Sequence, residues 1–289
     1  MNSSKPAQIN STIERQVAIC ADDFGVDQAV NNAIVDLAAQ GRLSATSVLV
    51  DGAAVQSANE LLGPLALDIG LHLNLTDAIG QLKAADVKPL TRLILQSHAR
   101  QLNHQWVRAA IERQFDRFEG LFGKPPDYVD GHLHVHQLPI IRDVLMDVLS
   151  CRYLGQKIWL RDTRSPPGLK QSWSWSDRFK PWLIGHLGMS VLAKQAQACG
   201  WQTNQGFVGV YDFTHKHPAY DDMLKRWCAH CKTGSLIMTH PAKQSVAGDP
   251  IGQSRVDEYQ VLGSESFGKY LLDEKIRVSR LSQVFSTLP

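Results

Sequence analysis

Long hydrophobic runs are missing from this sequence: no segment approaches eighteen consecutive apolar residues, so no transmembrane helix is expected. The opening MNSSKPAQINSTIERQ is polar and lacks the apolar core of an export signal, and we expect a cytoplasmic protein. Charge of one sign is also missing. Thirty Lys and Arg against 28 Asp and Glu leave a formal net charge of +2, with no basic run long enough to follow a phosphate backbone. A nucleic-acid partner is therefore not expected. Cysteine is scarce and odd in number, five in all, which fits reduced thiols rather than a disulfide framework. The single CxxC, Cys228 to Cys231, has no second pair with which to build a tetrahedral zinc site. No internal repeat, low-complexity tract or clear linker divides the chain.

What is present is a β-rich and helical alternation in a chain of 289 residues, 44% of them hydrophobic, enough to bury a full core. QVAICA (16–21) reads as a strand. The following DQAVNNAIVDLAAQG carries Val30, Ala33, Ile34, Leu37 and Ala38 at helical spacing, with Asp27 as N-cap and Gly41 as stop. Further strands are expected at 45–50, 67–76, 125–132, 157–161, 206–211, 235–240 and 275–280. In 105–123 the stripe Val107, Ile111, Phe115, Phe118 and Phe122 marks a packed helix, and Pro139 reads as the first residue of another. Seven or eight βα units in a row point to one α/β domain, a TIM-barrel-like, distorted β/α barrel over 16–289, preceded by a disordered or extended segment 1–15. The irregular stretches 76–103 and 162–182 follow strand ends, where a barrel keeps its substrate loops.

The chemistry collects at strand ends. Asp22 and Asp23 follow the first strand, His72 lies in the third, Asp130 and His132 end the fourth, Arg161 follows the fifth and His240 the late strand SLIMTH. In LDIGLHLNLT the residues Ile69, Leu71 and Leu73 share one face, and Asp68, Gly70, His72 and Asn74 the other. The stretch VDGHLHVHQLP sets His132, His134 and His136 at every second position; if extended, all three would face one way, with Asp130 beside them. Buried charges in such places are costly unless paired or metal-bound, and a carboxylate with two imidazoles makes a three-point metal platform with positions left for water and substrate.

The motifs ADDFG, IGLHLNLT, DGHLHVH and MTHP resemble those of the YdjC-like carbohydrate deacetylases, the group that includes the chitooligosaccharide deacetylase and the hopanoid-biosynthesis deacetylase. The resemblance runs from about residue 16 to 242. It implies a distorted β/α barrel that removes N-acetyl groups from amino sugars with a divalent metal. Carried over by position, it makes Asp23, His72 and His132 the metal ligands and Asp22 the catalytic base. His240 follows from similarity to a late strand-end histidine of the more distant polysaccharide deacetylases, as the group that stabilises the oxyanion or protonates the amine. Arg161 would orient Asp22. His134, His136, Asn74 and Asp130 are assigned to substrate binding, with His134 and His136 leaving the strand for the following loop.

Ligand softness and family resemblance pull the metal in different directions. Two imidazoles and one carboxylate suit zinc or iron, whereas the resemblance implies magnesium; a divalent cation is expected, magnesium first and zinc close behind. The resemblance implies as substrate either a soluble chitooligosaccharide or an N-acetylglucosaminyl glycolipid, the latter bringing transient contact with a membrane surface. Trp173, Trp175 and Trp182 could stack on sugar rings, cover a lipid tail, or belong to a helix packed on the barrel. A homodimer is left open. Two other readings compete: a different metal-dependent amidohydrolase or phosphoesterase, because HLH resembles the HxH pair of those barrels, and a non-catalytic sugar-binding protein on this scaffold.

Overall fold

The structure is a computed structural model that describes residues 14–166, 187–213 and 220–287. Trp173, Trp175 and Trp182 lie outside the described residues, as does the N-terminal segment up to residue 13. Nine strands are described: β1 (Arg15–Phe24), β2 (Ala45–Val48), β3 (Asp68–Leu73), β4 (Tyr128–Gly131), β5 (Trp159–Leu160), β6 (Gln202–Thr203), β7 (Phe207–Val208), β8 (Leu236–Thr239) and β9 (Ile276–Val278). All pair in parallel, in the order β6-β5-β4-β3-β2-β1-β8-β7, with β9 added to the start of β1. The two ends of that order, β6 and β7, are successive pieces of chain separated only by residues 204–206. Asn204 bridges the gap by accepting from Asp162 N at 2.7 Å, and Phe207 N donates to Arg164 O at 3.0 Å. The result is the α/β barrel expected from the alternation, curled and distorted, with one kinked stretch serving both flanks.

Helices clothe the outer face: α1 (Gln28–Ala39), α2 (Ala58–Leu62), α3 (Leu90–His98), α4 (His104–Phe122), α5 (Ile141–Tyr153), α6 (Met189–Ala198), α7 (Tyr220–His230), α8 (Gly252–Gly263) and α9 (Glu265–Asp273), whereas α10 (Leu281–Thr287) packs Leu281 and Val284 against the core inside the barrel. Asp27 caps α1 by accepting from Val30 N at 2.9 Å, as its sequence context suggests. The expected stripe of α4 is buried along its whole length, which holds the helix on β3 and α5. Ile69, Leu71 and Leu73 join this outer core, whereas Cys20, Tyr128, Trp159, Phe207, Leu236 and Met238 form a separate core inside the barrel. Gly70 makes that inner packing possible, since a side chain there would collide with the Tyr128 ring, 2.3 Å from the nearest ring atom.

Several local expectations change. Pro139 does not open α5, which starts at Ile141 after Ile140 adopts φ +67°. The stretch 76–103 is not wholly irregular, because Pro89 is followed by the nine-residue α3. Arg15 belongs to β1 rather than to an N-terminal tail. All five cysteines are free thiols, and no described helix is long and apolar enough to cross a membrane.

Candidate active site

The site begins with a defect in β1. Three steps along β1, Ala21 to Phe24, pair with two along β2, Thr46 to Val48, so β1 carries a bulge at Asp22 and Asp23. Asp23 there adopts φ +69°, a left-handed conformation rare for a residue with a side chain. Neighbours on a regular strand face opposite sides; the bulge lets both carboxylates join one site, each only 2% exposed.

Asp23, His72 and His132 form a compact trio of potential ligands, as expected from sequence. Asp23 Oδ1 lies 3.2 Å from His132 Nδ1 and 3.5 Å from His72 Nε2, and is buried without a hydrogen-bond partner. An orphaned anionic oxygen facing two imidazole nitrogens is the donor set of a divalent cation, so the residues present fit the metal implied by the resemblance. The far nitrogens are secured: His72 Nδ1 is 2.7 Å from Asp130 Oδ1, and His132 Nε2 is 2.8 Å from Asp77 Oδ2. Each carboxylate holds its ring in the tautomer that presents the other nitrogen to the site. Burial alone would lower the His132 pKa, but Asp23 and Asp77 on either side push it up to about 10, and a cation bound at Nδ1 would displace the proton so held.

A second cluster, Asp22, His72 and Asp130, also gathers donor atoms, but the Arg161 guanidinium fills it. Arg161 Nη1 and Nη2 each lie 2.6 Å from Asp22, and Nη2 also lies 2.6 Å from Asp130 Oδ2. Ser47 Oγ donates to Asp130 at 2.6 Å while facing Tyr128 Oη at 2.7 Å and Asp22 Oδ1 at 3.2 Å. Asp22 would be raised by burial, yet Arg161 holds it well below the ordinary carboxylate range. Arg161 is itself fully buried, and the two carboxylates outweigh its desolvation and raise its pKa.

His240 stands opposite, with Nε2 4.0 Å from Asp22 Oδ2 and Phe213 edge-on at 5.3 Å. Burial lowers its pKa to about 4, so the imidazole is neutral at rest. Two residues of α8, which carries no recognisable motif, complete this side. Glu258 accepts a hydrogen bond from His240 N and another from Tyr211 Oη; Arg255 Nη2 donates to Asp23 Oδ2 at 2.7 Å. Burial pushes the Glu258 carboxyl up to about 7.

Four expected substrate residues are placed differently. Asp130 is fully buried between His72, Arg161 and Ser47. Asn74 builds the loop, accepting from Thr76 N and Asp77 N and donating to Asp77 O, and so sets the carboxylate that holds His132. His134 and His136 do not leave for an exposed loop. Residues His132–Gln137 coil into a tight turn in which Leu133 and His134 have φ +50° and +59°, so the alternate-facing geometry of an extended segment does not arise. His136 Nε2 bonds Arg161 O at 3.0 Å, and His134 sits edge-on against Phe207 at 5.5 Å. Arg255, Glu258, Ser47 and Asp77 were not singled out from sequence. Asp77 directly follows the quoted LDIGLHLNLT stretch, whereas nothing local marks Arg255 or Glu258.

This geometry coincides with a family match: residues 16–273 match the profile described as YdjC-like protein. The chain belongs to the YdjC-like family. Among its relatives, a chitooligosaccharide deacetylase of Yersinia enterocolitica is 33% identical over 246 residues, covering 81% of this chain and 95% of that protein. A carbohydrate deacetylase of Danio rerio is 34% identical over 147 residues, covering 47% of this chain and 46% of that protein, so that match spans about half of each. In structure, a protein of Enterococcus faecalis assigned to cellobiose-phosphate cleavage superposes with a TM-score of 0.66 at 19% identity, covering 94% of this chain and 99% of the other. A peptidoglycan N-acetylglucosamine deacetylase superposes at 0.51 and 14%, covering 96% and 90%. These two likenesses show the distorted β/α barrel fold alone.

Proposed function

We propose that the chain is a metal-dependent carbohydrate deacetylase that hydrolyses the N-acetyl group of an amino sugar to acetate and a free amine. The observation that carries this reading is Asp23 Oδ1, buried and unpartnered between His72 Nε2 and His132 Nδ1, beside a second carboxylate held by Arg161. The names of the family's curated relatives support it.

A divalent ion held by Asp23, His72 and His132 would polarise the acetamide carbonyl and acidify a bound water, which an amide, a poor electrophile, requires. Asp22 is the base. Its two oxygens are oriented by Arg161, and Oδ2 also faces His240, so a proton taken there from water has a route to His240 Nε2. His240, neutral at rest, then carries that proton to the departing amine nitrogen. Asp130 and Asp77 keep the imidazoles turned inward, while Ser47 ties Asp130 to the base. Magnesium is favoured by the family resemblance and zinc by the ligand types.

The test is acetate release from diacetylchitobiose and from an N-acetylglucosaminyl lipid, each with magnesium and with zinc. Acetate with an intact sugar chain is expected. Shortened oligosaccharides that keep their acetyl groups would overturn the reading in favour of glycosidic cleavage, which normally needs two carboxyl groups flanking the bond, roughly 5 to 9.5 Å apart.

A further inference from the structure

Arg255 makes a contact that the proposed reaction does not require. Its guanidinium comes from the first turns of α8 and reaches into the site with its side chain 8% exposed. Nη2 donates to Asp23 Oδ2 at 2.7 Å, and Nε donates to Asp249 Oδ2 at 2.7 Å. Asp249 is fixed in turn, because its Oδ1 accepts from Ile251 N at 3.0 Å. The backbone around Arg255 is tied down as well: Ala242 N donates to Arg255 O, and Ser254 Oγ donates to Phe213 O. This clamp therefore occupies one oxygen of Asp23 and leaves the other unpartnered toward the imidazoles.

We propose that Arg255 is a positioning residue that confines Asp23 to one-oxygen ligation and opposes the metal's charge, trading metal affinity for open ligand positions. The inference rests on the metal site proposed above. Two effects of removing Arg255 compete. Loss of orientation weakens binding, but the bulged backbone and the left-handed Asp23 already aim that carboxylate, so this effect is small. Loss of a buried positive charge strengthens binding, and charge effects in a site shielded from salt are large. Charge wins, and the freed Oδ2 becomes available to the ion. It then takes a position that water or the acetamide oxygen needs. Asp249 works in the opposite sense, as the anion that tempers Arg255.

The experiment is calorimetric titration of the full chain with Mn2+ at fixed pH, for wild type, Arg255→Gln and Asp249→Asn, with thermal unfolding and acetate release measured alongside. Arg255→Gln should bind Mn2+ at least tenfold more tightly, yet turn over at least tenfold more slowly at saturating metal, with KM little changed. Asp249→Asn should bind Mn2+ about threefold or more weakly. Opposite signs in the two variants support the proposal. Weaker or unchanged binding in Arg255→Gln overturns it, and so does unchanged or tighter binding in Asp249→Asn, which decides the matter even if the first variant fails to fold. Wild type that binds Mn2+ without releasing acetate sinks the deacetylase reading and leaves the metal titrations to judge this one. Wild type that binds no Mn2+ sinks both.

Discussion

The first four strands and the next four build one barrel in different ways. β1 to β4 are 10, 4, 6 and 4 residues long, whereas β5, β6 and β7 have two each and only β8 has four. All three proposed metal ligands come from the regular half. Arg161, His240, Arg255 and Glu258 come from the irregular one. A metal site tolerates only a few tenths of an ångström in its donors, and the ladders of β1, β3 and β4 fix the strand ends that carry them, with the local bulge of β1 turning Asp23 into the site. Orienting groups are less demanding, because a long guanidinium can reach its carboxylates from a backbone that is placed more loosely. Ligands from the longer strands and long-reaching guanidinium braces from the other half are thus a division of labour, with Asp77 and Asp130 the short braces that the ligand half supplies itself.

The sharpest way to break that comparison is to remove ligands from the regular half. His72→Ala combined with His132→Ala should abolish tight metal binding and lower turnover by about four orders of magnitude or more, since the acidified water is lost. Metal analysis of the loaded protein checks this directly. Metal content equal to wild type would move the site elsewhere in the chain.

Next come the neighbouring aspartates, which divide the labour within two residues. Asp22→Asn should cost about two to four orders of magnitude in turnover while metal content stays near wild type. Asp23→Asn should weaken metal binding, with part of the activity restored by excess metal. Should Asp22→Asn be the variant that loses metal and recovers with added ion, the two roles are exchanged.

How much of this could be read in the sequence follows the same divide. Asp22, Asp23, His72 and His132 stand in compact motifs at strand ends, where local spacing and three-dimensional neighbourhood agree. Arg161 stands in no such motif, and only its place after the fifth strand marks it. Arg255 and Glu258 could not be placed, because they sit on a helix whose partners, Asp23 and His240, are 232 and 18 residues away along the chain. The three-histidine run misled in an instructive way. Period two implies one face only while the backbone is extended, and two successive left-handed residues, Leu133 and His134, end that condition immediately after His132. His134 and His136 are therefore turned into the barrel wall. No propensity rule anticipates left-handed Leu, a conformation that residues with a side chain rarely adopt.

A smaller effect is expected where a brace acts through another residue. Glu258 touches His240 only at its backbone nitrogen, so Glu258→Ala should lower kcat by roughly tenfold to a hundredfold through misplacement of the imidazole, with a lesser change in KM. Glu258→Gln keeps an oxygen that can accept from the same N–H and should recover most of that loss. Equal damage in both variants would mean that the carboxylate charge matters, and would make Glu258 more than a brace.

The smallest effect concerns stability rather than turnover, and it tests whether His136 belongs to the wall. Its imidazole is fully buried, with Nε2 bonded to Arg161 O, and burial lowers its pKa from 6.5 to about 4. Above pH 6.5 the ring is neutral whether the chain is folded or not, and its contribution is complete. As the pH falls below 6.5 the unfolded chain takes up a proton that the folded one refuses until about pH 4, so stability is lost across that window. The loss has an upper bound of ~3 kcal/mol from a shift of this size. His136→Gln keeps an N–H donor for the Arg161 carbonyl but has nothing to titrate. The variant should start less stable at pH 7, because the tight fit of His136 against Gly131 is lost, and the gap to wild type should close by up to that amount toward pH 4. Urea unfolding at several pH values measures the gap, and the other histidines cancel because both proteins carry them. A gap that stays constant from pH 7 to pH 4 would mean that His136 accepts its proton in the folded protein as readily as in water, and so would place it at the mouth of the site, within reach of substrate, rather than in the wall behind it.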